Sequence, residues 1–231
     1  MAASEHCRKR QEPQRKIGIP DQRYGADFWL LRWANGTGPF SAGTRGDLLE
    51  AHWPALGVAP ASRVLVPLAG KSPDMAWLAG HGFNVVGVEI SPIACAGFFA
   101  EQHVAVQRTP DGQFVRWEGG GVTILQGDFF DLQGTFDAAL DRAALVTFPR
   151  ETRPRYVQHL MARLIADAAV LLVTIEYDAR RRTGPPFPVF SEEVRDLFPG
   201  AIERARHQLR RPRWEAVGGA EIVLWTARFL G

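Results

Sequence analysis

The alternation of short apolar runs with helical patterns after Arg63 is the feature that most constrains the fold of this chain. Valine-rich runs at 64–67 and 85–89 predict strands, and apolar residues at helical spacing over 74–81 and 92–103 predict a helix after each strand. Strands that alternate with helices pair in parallel, because each helix carries the chain back along one face of the sheet. The sequence therefore predicts an α/β fold with a parallel sheet covered by helices on both faces.

The same alternation continues towards the C-terminus. Further strands are predicted at 122–125, 136–140 and 170–175, and a closing hairpin at 201–209 and 221–229. Further helices are predicted at 27–33, 47–52 and about 151–165. These segments bring the number of predicted strands to seven.

The first 24 residues differ in composition from the rest. They contain six basic and three acidic residues and no apolar run, so we interpret residues 1–24 as a disordered basic leader and residues 25–231 as a single domain. The whole chain has 27 basic and 25 acidic residues, and without the leader the two numbers are about equal. Such a balance gives no strong positive field for a phosphate backbone, so no nucleic-acid partner is predicted.

Cysteine use and hydropathy predict the cellular compartment. Cys7 and Cys95 are the only cysteines, which excludes a disulfide framework and fits a reducing environment. The N-terminus lacks the apolar segment of a secretory signal, and no apolar run reaches the ~18 residues of a membrane span. The six histidines show no spacing typical of a metal site. We expect a cytoplasmic monomer with no membrane partner and no metal.

Two strand ends carry residues suited to a nucleotide-like ligand. The first strand runs into a turn around Leu68 and Gly70 that opens a helix, the place where open α/β sheets bind such ligands. The following Lys-Ser is not part of a phosphate-binding P-loop, because Leu65 stands where that motif requires glycine. Glu89 ends the second strand 19 residues after Gly70, about the spacing at which an acid reaches a ribose diol. The alternative role for Glu89 is to stabilise the N-terminus of the next helix.

The third and fourth strand ends add aromatic and charged residues. Phe129 and Phe130 follow the third strand, where either ring can cover a purine face, and the alternative is that both belong to the core. Asp141 and Arg142 end the fourth strand and place a charged pair at the mouth of the predicted cleft. Such a pair is also common as a purely structural ion pair.

Together these segments resemble the thiopurine S-methyltransferase family, and its bacterial branch in particular. The resemblance runs from about Asp27 to Phe229 and rests on the order and spacing of several short motifs. They are Trp29 and Trp33, Pro67-Leu68-x-Gly-Lys-Ser-x-Asp-Met, Val86-Gly87-Val88-Glu89, Gly127-Asp128-Phe129-Phe130, Asp141-Arg142-Ala143-Ala144-Leu145, and Glu176-Tyr177-Asp178 followed by Gly184-Pro185-Pro186-Phe187. The resemblance implies the Rossmann-like fold of class I methyltransferases, a seven-stranded, mostly parallel sheet with an antiparallel last strand.

The resemblance also implies a methyl donor and its contacts. S-adenosylmethionine would be the donor and S-adenosylhomocysteine the product. The donor contacts that it implies are Trp33, Leu68, Glu89, Phe129 with Phe130, and Arg142, to which the strand-turn pattern adds Gly70. An aromatic ring such as that of Trp33 suits a sulfonium donor, because a delocalised cation is attracted to a π face.

Some of the implied acceptor contacts lie where this sequence departs from the usual family pattern. Pro39-Phe40-Ser41 stands where the family usually has Gly-Phe-His, in the loop implied to cover the acceptor, so Phe40 and Ser41 are predicted acceptor contacts. Ala69 replaces a family cysteine, a change that we interpret as silent packing. Arg210 is a further predicted acceptor contact, chosen from a cluster that also contains Arg211 and Arg213.

The implied reaction is an in-line transfer of a methyl group to a thiopurine or another small thiol or thione. Most of the acceleration would come from alignment and exclusion of water, because an aromatic thiol ionises near neutral pH without a dedicated base. Arg142 is the predicted catalytic residue, since its charge favours the thiolate. Two alternatives stay open: methyl transfer to another small acceptor, such as a selenium or tellurium species, a halide or an amine, and donor binding without turnover. An oxidoreductase is disfavoured by the missing glycine fingerprint of dinucleotide sites.

Overall fold

The computed structural model describes residues 24–38 and 47–229. In this part of the chain, nine strands form one sheet. The strands are β1 (Arg63–Val66), β2 (Asn84–Glu89), β3 (Gln107–Asp111), β4 (Phe114–Gly119), β5 (Val122–Gln126), β6 (Phe136–Asp141), β7 (Leu164–Glu176), β8 (Ile202–Gln208) and β9 (Glu221–Arg228). The α-helices are α1 (Ala26–Ala34), α2 (Asp47–His52), α3 (Asp74–Gly80), α4 (Pro92–Glu101), α5 (Arg153–Met161), α6 (Ser191–Leu197) and α7 (Pro212–Glu215).

The strand order in the sheet is β3-β4-β5-β2-β1-β6-β7-β9-β8. The five central strands from β5 to β7 pair in parallel, and the last strand in sequence, β9, pairs antiparallel with both β7 and β8. The chain therefore moves outwards from β1 in one direction to β2 and β5, and later in the other direction to β6 and β7. This arrangement confirms the predicted α/β class with its antiparallel last strand.

The two faces of the sheet bury two separate sets of side chains. In β1, Leu65 packs into one cluster, whereas Val64 and Val66 on either side of it pack into the other, as the two-residue period of a strand requires. Helices α3 and α4 contribute to the cluster that contains Val64, and helices α5, α6 and α7 contribute to the cluster that contains Leu65. Helices therefore cover both faces, as the sequence predicts.

The seven predicted strands are all present, and the described residues contain two more. Strands β3 and β4 form an antiparallel hairpin around Gly112, which has φ +60°, and β4 pairs antiparallel with β5. A second difference is the end of the helix predicted over 151–165. Helix α5 ends at Met161 and β7 begins at Leu164, which pairs with Phe136 and is buried.

Strand β8 is one edge of the sheet. Its side chains are exposed or half-buried along the whole strand, and charged residues occupy much of it. Arg206 contacts Glu176, Glu203 and Glu221 at N–O distances of 2.8, 3.0 and 2.8 Å. These ion pairs connect the edge strand to its neighbour β9 and to the end of β7.

The predicted leader lies outside the described residues except for Tyr24. The ring of Tyr24 meets the rings of Phe28 and Phe187 edge-on, at centroid distances of 5.2 and 5.0 Å. The division into a leader of residues 1–24 and a domain of residues 25–231 stays a prediction.

Candidate functional site

A cavity of about 450 Å³ lies at the carboxyl ends of the central strands. Leu68 after β1, Glu89 at the end of β2 and Arg142 after β6 all line it, and Trp29 and Arg32 of α1 contribute to its wall. Because β2 and β6 flank β1 on opposite sides, the cavity is at the point where the chain changes direction across the sheet. Open α/β sheets bind their ligands at this point.

Glu89 is a buried carboxylate that faces this cavity, with 5% of its surface exposed. Its Oε2 accepts a hydrogen bond from the Gly70 backbone N–H and its Oε1 accepts one from the Ser91 backbone N–H, both at 2.8 Å. Burial raises the pKa of Glu89 from 4.5 to about 6, and these backbone donors oppose the rise. Each carboxylate oxygen retains a further lone pair, so the group can accept two hydroxyl protons from a ligand.

The turn after β1 brings Gly70 to Glu89 by means of two unusual backbone conformations. Leu68 has φ +47° and Gly70 has φ +54°, in the left-handed region that residues with a side chain seldom adopt. Between them, the Ala69 N–H donates to the Val88 carbonyl at 2.9 Å and so holds the turn against β2. Gly87 leaves room for this approach, since a Cβ there would lie 3.1 Å from the Cβ of Ala69 and 2.7 Å from Sδ of Met75 on α3. A strained leucine that lines a cavity suggests that the turn is shaped for a ligand.

Arg142 is held by an acid in the first turn of α3. Its Nη1 donates to Oδ2 of Asp74 at 2.5 Å, and the Ser72 hydroxyl donates to the same oxygen at 3.1 Å. The Asp74 side chain is 1% exposed and that of Arg142 is 19% exposed. The pair therefore fixes the guanidinium at the cavity wall and offsets part of its charge.

Asp141 fixes the loop that carries Arg142. The carboxylate is fully buried at the end of β6, where Oδ1 accepts from the backbone N–H groups of Ala144 and Leu145 at 2.9 and 3.1 Å. Its Oδ2 accepts from the Tyr156 hydroxyl on α5 at 2.7 Å. Burial raises the pKa of Asp141 from 3.8 to about 6, against the effect of these three donors. The loop between β6 and α5 is thus anchored at both ends.

Comparison with known families identifies the chain. A family model described as thiopurine S-methyltransferase (TPMT) matches residues 24–215. The chain belongs to the thiopurine S-methyltransferase family. Thiopurine S-methyltransferase of Azotobacter vinelandii is 47% identical over 177 residues, which are 74% of this chain and 81% of that protein. Thiopurine S-methyltransferase of Bordetella petrii is 42% identical over 182 residues, which are 77% of this chain and 83% of that protein.

Solved structures of other methyltransferases share the fold. The magnesium protoporphyrin IX methyltransferase of Synechocystis with bound S-adenosylmethionine superposes with a TM-score of 0.64 at 15% identity, over 92% of this chain and 99% of that chain. The 1,6-didemethyltoxoflavin-N1-methyltransferase of Burkholderia thailandensis with bound S-adenosylhomocysteine superposes with a TM-score of 0.62 at 19% identity, over 92% of this chain and 91% of that chain. At such low identity these similarities support the methyltransferase fold of this family member and not its acceptor.

The structure brings four of the predicted site residues together. Leu68, Glu89 and Arg142 line the same cavity, and Gly70 donates to Glu89 from the turn between them. They come from three neighbouring strand ends, which is the proximity that a parallel sheet predicts for residues at such positions.

The predicted aromatic contacts lie elsewhere. Trp33 is 5% exposed and does not line the cavity, and its ring packs against Gly38, where a Cβ would lie 2.3 Å from the indole. Its neighbour Trp29 lines the cavity instead. Phe129 is a core residue whose ring centroid is 5.4 Å from that of Tyr156, and Phe130 lies beside the Arg155 guanidinium at 4.2 Å. The alternative that these two rings serve packing is the one that their surroundings favour.

The predicted acceptor contacts divide into two groups. Phe40 and Ser41 lie outside the described residues. Arg210 is exposed and is not part of the cavity wall, whereas Arg211 and Arg213 of the same cluster line it. Arg211 and Arg213 are exposed like Arg210, so exposure does not distinguish the three, and the sequence alone did not predict the short helix α7 that places them.

Two residues at the site carried signals that the sequence prediction did not use. Asp74 lies in the Gly-Lys-Ser-x-Asp motif, but its pairing with Arg142 spans 68 positions and depends on the tertiary fold that brings the start of α3 to the loop after β6. Arg182 is the last of three consecutive arginines between two family motifs, and it lines the cavity. Three adjacent cations before a proline-rich loop are a signal for an anionic ligand that sequence analysis can use.

Among residues 24–38 and 47–229, no group of three or more His, Cys, Asp or Glu side chains is arranged to hold a metal ion. Within the same ranges, no helix has the length and apolar character that crossing a bilayer requires.

Proposed function

We propose that this chain transfers a methyl group from S-adenosylmethionine to the sulfur of a small thiol or thione, thiopurines included, and leaves S-adenosylhomocysteine. The observation that carries the proposal is family membership over residues 24–215, joined to a cavity that Glu89 and Arg142 line from opposite sides of β1. The first residue suits the sugar of the donor and the second suits an ionised sulfur acceptor.

The residues at the end of β2 fit the donor. The two oxygens of Glu89 are held in place by backbone N–H groups and still have lone pairs for a ribose diol. The turn at Leu68 brings its backbone and side chain to the cavity next to this carboxylate. When bound, S-adenosylmethionine supplies a methyl group on a positively charged sulfur. Glu89 would hold the sugar of the donor at the end of β2.

Arg142 suits the acceptor. A thiolate that enters a partly dry cavity loses hydration, and a fixed guanidinium compensates for this loss and favours the ionised form. The apolar wall formed by Val146, Val173 and Ile175, with Pro185 and Pro186 opposite, limits water around the acceptor. In-line displacement then requires alignment of the reacting atoms and no general base.

Turnover can be tested directly with the purified chain. Incubation with S-adenosylmethionine and either mercaptopurine or thiophenol should give the S-methylated product and equimolar S-adenosylhomocysteine, both measured by mass spectrometry. A parallel series with an amine, iodide and selenite separates the other acceptor classes. Donor binding by calorimetry without any methylated product would identify a binding protein instead and would overturn the proposal.

Three expectations about the whole protein stay predictions. The scarcity of cysteine favours a reducing compartment such as the cytoplasm, and the charge balance disfavours nucleic acid. A monomer is expected, and sedimentation of the purified chain would test that expectation.

A further inference from the structure

Three arginines line the cavity on the side away from Glu89. Arg182 lies in the loop after β7, and Arg211 and Arg213 lie at the start of α7, between β8 and β9. Within the described residues none of the three forms an ion pair, in contrast to Arg142, which pairs with Asp74. Arg182 is half-buried and Arg211 and Arg213 are exposed, so water now solvates cations that have no acidic partner among the described residues and that an anionic ligand in the cavity would pair with.

The arginines surround a tryptophan that also has an unused donor. The guanidinium carbons of Arg182 and Arg213 lie 5.0 and 5.1 Å from the ring centroid of Trp214, which lines the cavity and is 1% exposed. In the described part of the chain, neither Nε1 of Trp214 nor Nε of Arg182 has a hydrogen-bond partner, although both atoms are buried. A buried N–H group without a partner is uncommon in folded proteins and calls for an explanation.

These cations are close enough for their positive charges to repel one another. Burial lowers the pKa of Arg213, and the charges of Arg211 and Arg182 lower it further. In the described chain, Glu89 is the only acidic residue of the cavity wall, and it is at the opposite end. An anion placed among the arginines would therefore relieve their repulsion.

The strand order separates this cluster from the donor end. Going from β2 through β1 and β6, the sheet reaches β7 and then β9, from whose ends the loops with Arg182 and Arg213 extend. Neighbouring strands are ~4.8 Å apart, so these strand ends are about 14 Å or more from the end of β2. Arg142, at the end of β6, lies between the two ends. A small molecule with its sulfur near Arg142 can thus direct its other end to Arg182 and Arg213.

We propose that Arg182, Arg213 and the indole N–H of Trp214 form an oxyanion subsite for the acceptor, so that this chain prefers aryl thiols that carry a carboxylate. The inference rests on the proposed methyl transfer and names its substrate class. Guanidinium groups bind a carboxylate through charge-assisted hydrogen bonds, and Trp214 contributes one more donor. The apolar side chains of Val173, Leu209 and Ile222 provide the adjoining wall for an aromatic ring.

A matched pair of acceptors tests the subsite. We would compare kcat/KM for para-mercaptobenzoate and its neutral analogue para-mercaptobenzamide, above the pKa of both thiols, with thiophenol as the reference acceptor. The parent chain should prefer the acid over the amide by about tenfold or more, the range of a charge-assisted hydrogen bond. Arg182→Gln and Arg213→Gln should each reduce this preference severalfold, because kcat/KM for the acid should fall by a larger factor than kcat/KM for the amide or for thiophenol.

Arg195→Gln is the matched control. Arg195 is an exposed arginine on α6 that contacts the ring of Trp225, and it lies outside the cavity wall. The substitution removes one positive charge, so it corrects for long-range steering of the acid, and the preference should remain that of the parent. Equal loss in Arg195→Gln and Arg213→Gln would assign the effect to net charge and would overturn the subsite.

The alternative ligand for these arginines is the carboxylate of the donor. Calorimetry distinguishes a carboxylate of the acceptor from that of the donor. If the acceptor is the source, donor affinity in Arg213→Gln stays within about twofold of the parent. A loss of donor affinity that matches the loss of turnover on every acceptor would contradict the inference. Thiophenol turnover reports the proposed function separately: if thiophenol is methylated and the parent treats acid and amide alike, only the subsite is wrong, and if no thiol is methylated, both proposals fail.

Discussion

Glu89 is a buried carboxyl whose proposed role requires a negative charge. Its two backbone donors support the charge, but burial outweighs them and raises the pKa to about 6. The carboxyl is therefore mostly ionised at neutral pH and becomes protonated in mild acid. A protonated carboxyl has one acceptor oxygen fewer for the ribose hydroxyls.

Donor affinity should consequently depend on pH through this single residue. Calorimetric titration of the parent chain should show weaker binding of S-adenosylhomocysteine as the pH falls through about 6. Glu89→Gln should bind about 1.5 to 3 kcal/mol more weakly at neutral pH, the range for hydrogen bonds to a charged group, and should lose the pH dependence. If the variant keeps the affinity and the pH profile of the parent, Glu89 has no part in donor binding.

Arg142 and Asp74 offer a pair of substitutions with opposite expected effects. Removal of the cation in Arg142→Ala should shift the pH profile of turnover upwards for a weakly acidic alkyl thiol, by about one pH unit, because a charge near the sulfur favours ionisation. Arg142→Lys should fall between the alanine variant and the parent. Asp74→Asn keeps an acceptor for the guanidinium but removes the opposing charge, so it should shift the profile downwards.

A thiopurine that is already ionised provides the internal control for this pair. Its turnover should respond much less to pH in all three variants. Thermal unfolding of Asp74→Asn guards against misfolding, since Asp74 is fully buried. Should all acceptors lose rate equally with unmoved profiles, Arg142 would position the donor and not the thiolate.

The loop between β6 and α5 is the element that delivers Arg142 and several apolar residues to the cavity. Asp141 anchors it through three hydrogen bonds, of which the one from Tyr156 joins the loop to α5. A bond to an ionised carboxylate contributes about 1.5 to 3 kcal/mol, and a bond to a neutral group contributes about 0.5 to 1.5 kcal/mol. The value of this anchor therefore depends on whether Asp141 is ionised.

Tyr156→Phe should destabilise the chain more at alkaline than at acidic pH. Above about 6, where Asp141 is ionised, the variant should lose about 2 kcal/mol of unfolding free energy, and at pH near 5 it should lose about 1 kcal/mol. Denaturant unfolding of the parent and the variant at the two pH values measures both losses of unfolding free energy. Tyr177→Phe is the control, because the Tyr177 hydroxyl donates to the neutral carbonyl of Pro186 at 2.6 Å and its loss should not vary with pH. Equal deficits for Tyr156→Phe at both pH values would argue against an ionised Asp141.

Among the strands and helices, those with a clear local hydrophobic pattern could be predicted from the sequence. Strands β1 and β2 have unbroken valine-rich runs, and their end residues Leu68 and Glu89 could be assigned to one cavity because parallel strands end at the same edge. The hairpin of β3 and β4 was missed because its residues are mostly polar and Pro110 interrupts the pattern. Helix α5 was predicted too long, since the burial of Leu164 beside Phe136 decides where it ends.

The arginine cluster shows that local sequence patterns do not predict contacts between distant segments. Arg182 and Arg213 are 31 positions apart and meet only because β9 inserts between β7 and β8. Long-range placement of this kind depends on the order of strands in the sheet, which the resemblance implies and local periodicity does not. That Trp29 and not Trp33 lines the cavity was likewise beyond local pattern, because the side that α1 presents to the cavity is set by its packing, and the donor contact of Trp33 stays a prediction.

Across the whole molecule, Glu89 and Asp141 affect stability in the same direction. Both carboxyls have pKa values raised by burial to about 6 in the folded chain, from 4.5 and 3.8. A carboxyl with a raised pKa stabilises the fold fully below its unfolded pKa, and that contribution is lost as the pH rises through the folded value. Each group should thus cost the donor-free chain about 2 kcal/mol of stability between pH near 4 and neutrality.

The double variant Glu89→Gln/Asp141→Asn should lack this dependence. Relative to the parent, its unfolding free energy should rise by about 2 to 4 kcal/mol as the pH increases from about 4 to 7, because the variant lacks the two buried carboxyls whose ionisation costs the parent stability. Urea titrations of both proteins at a series of pH values give the difference directly. Acids with lowered pKa values, such as Glu176, act in the opposite direction in both proteins and cancel in the comparison. If the difference in unfolding free energy between variant and parent does not change with pH, ionisation of these two carboxyls does not destabilise the folded chain.

The charged edge strand β8 bears on how this chain behaves at high concentration. An edge strand presents unpaired backbone groups, and a flat apolar edge is a template for intermolecular β-sheet and aggregation. Here Glu203, Arg204 and Arg206 occupy the edge, and the ion pairs of Arg206 hold charge beside the open backbone groups. A second chain that docked on β8 would have to remove these charged side chains from water, and the cost of desolvating them opposes such docking. The charges on this edge strand thus protect the protein from fibrillar self-association.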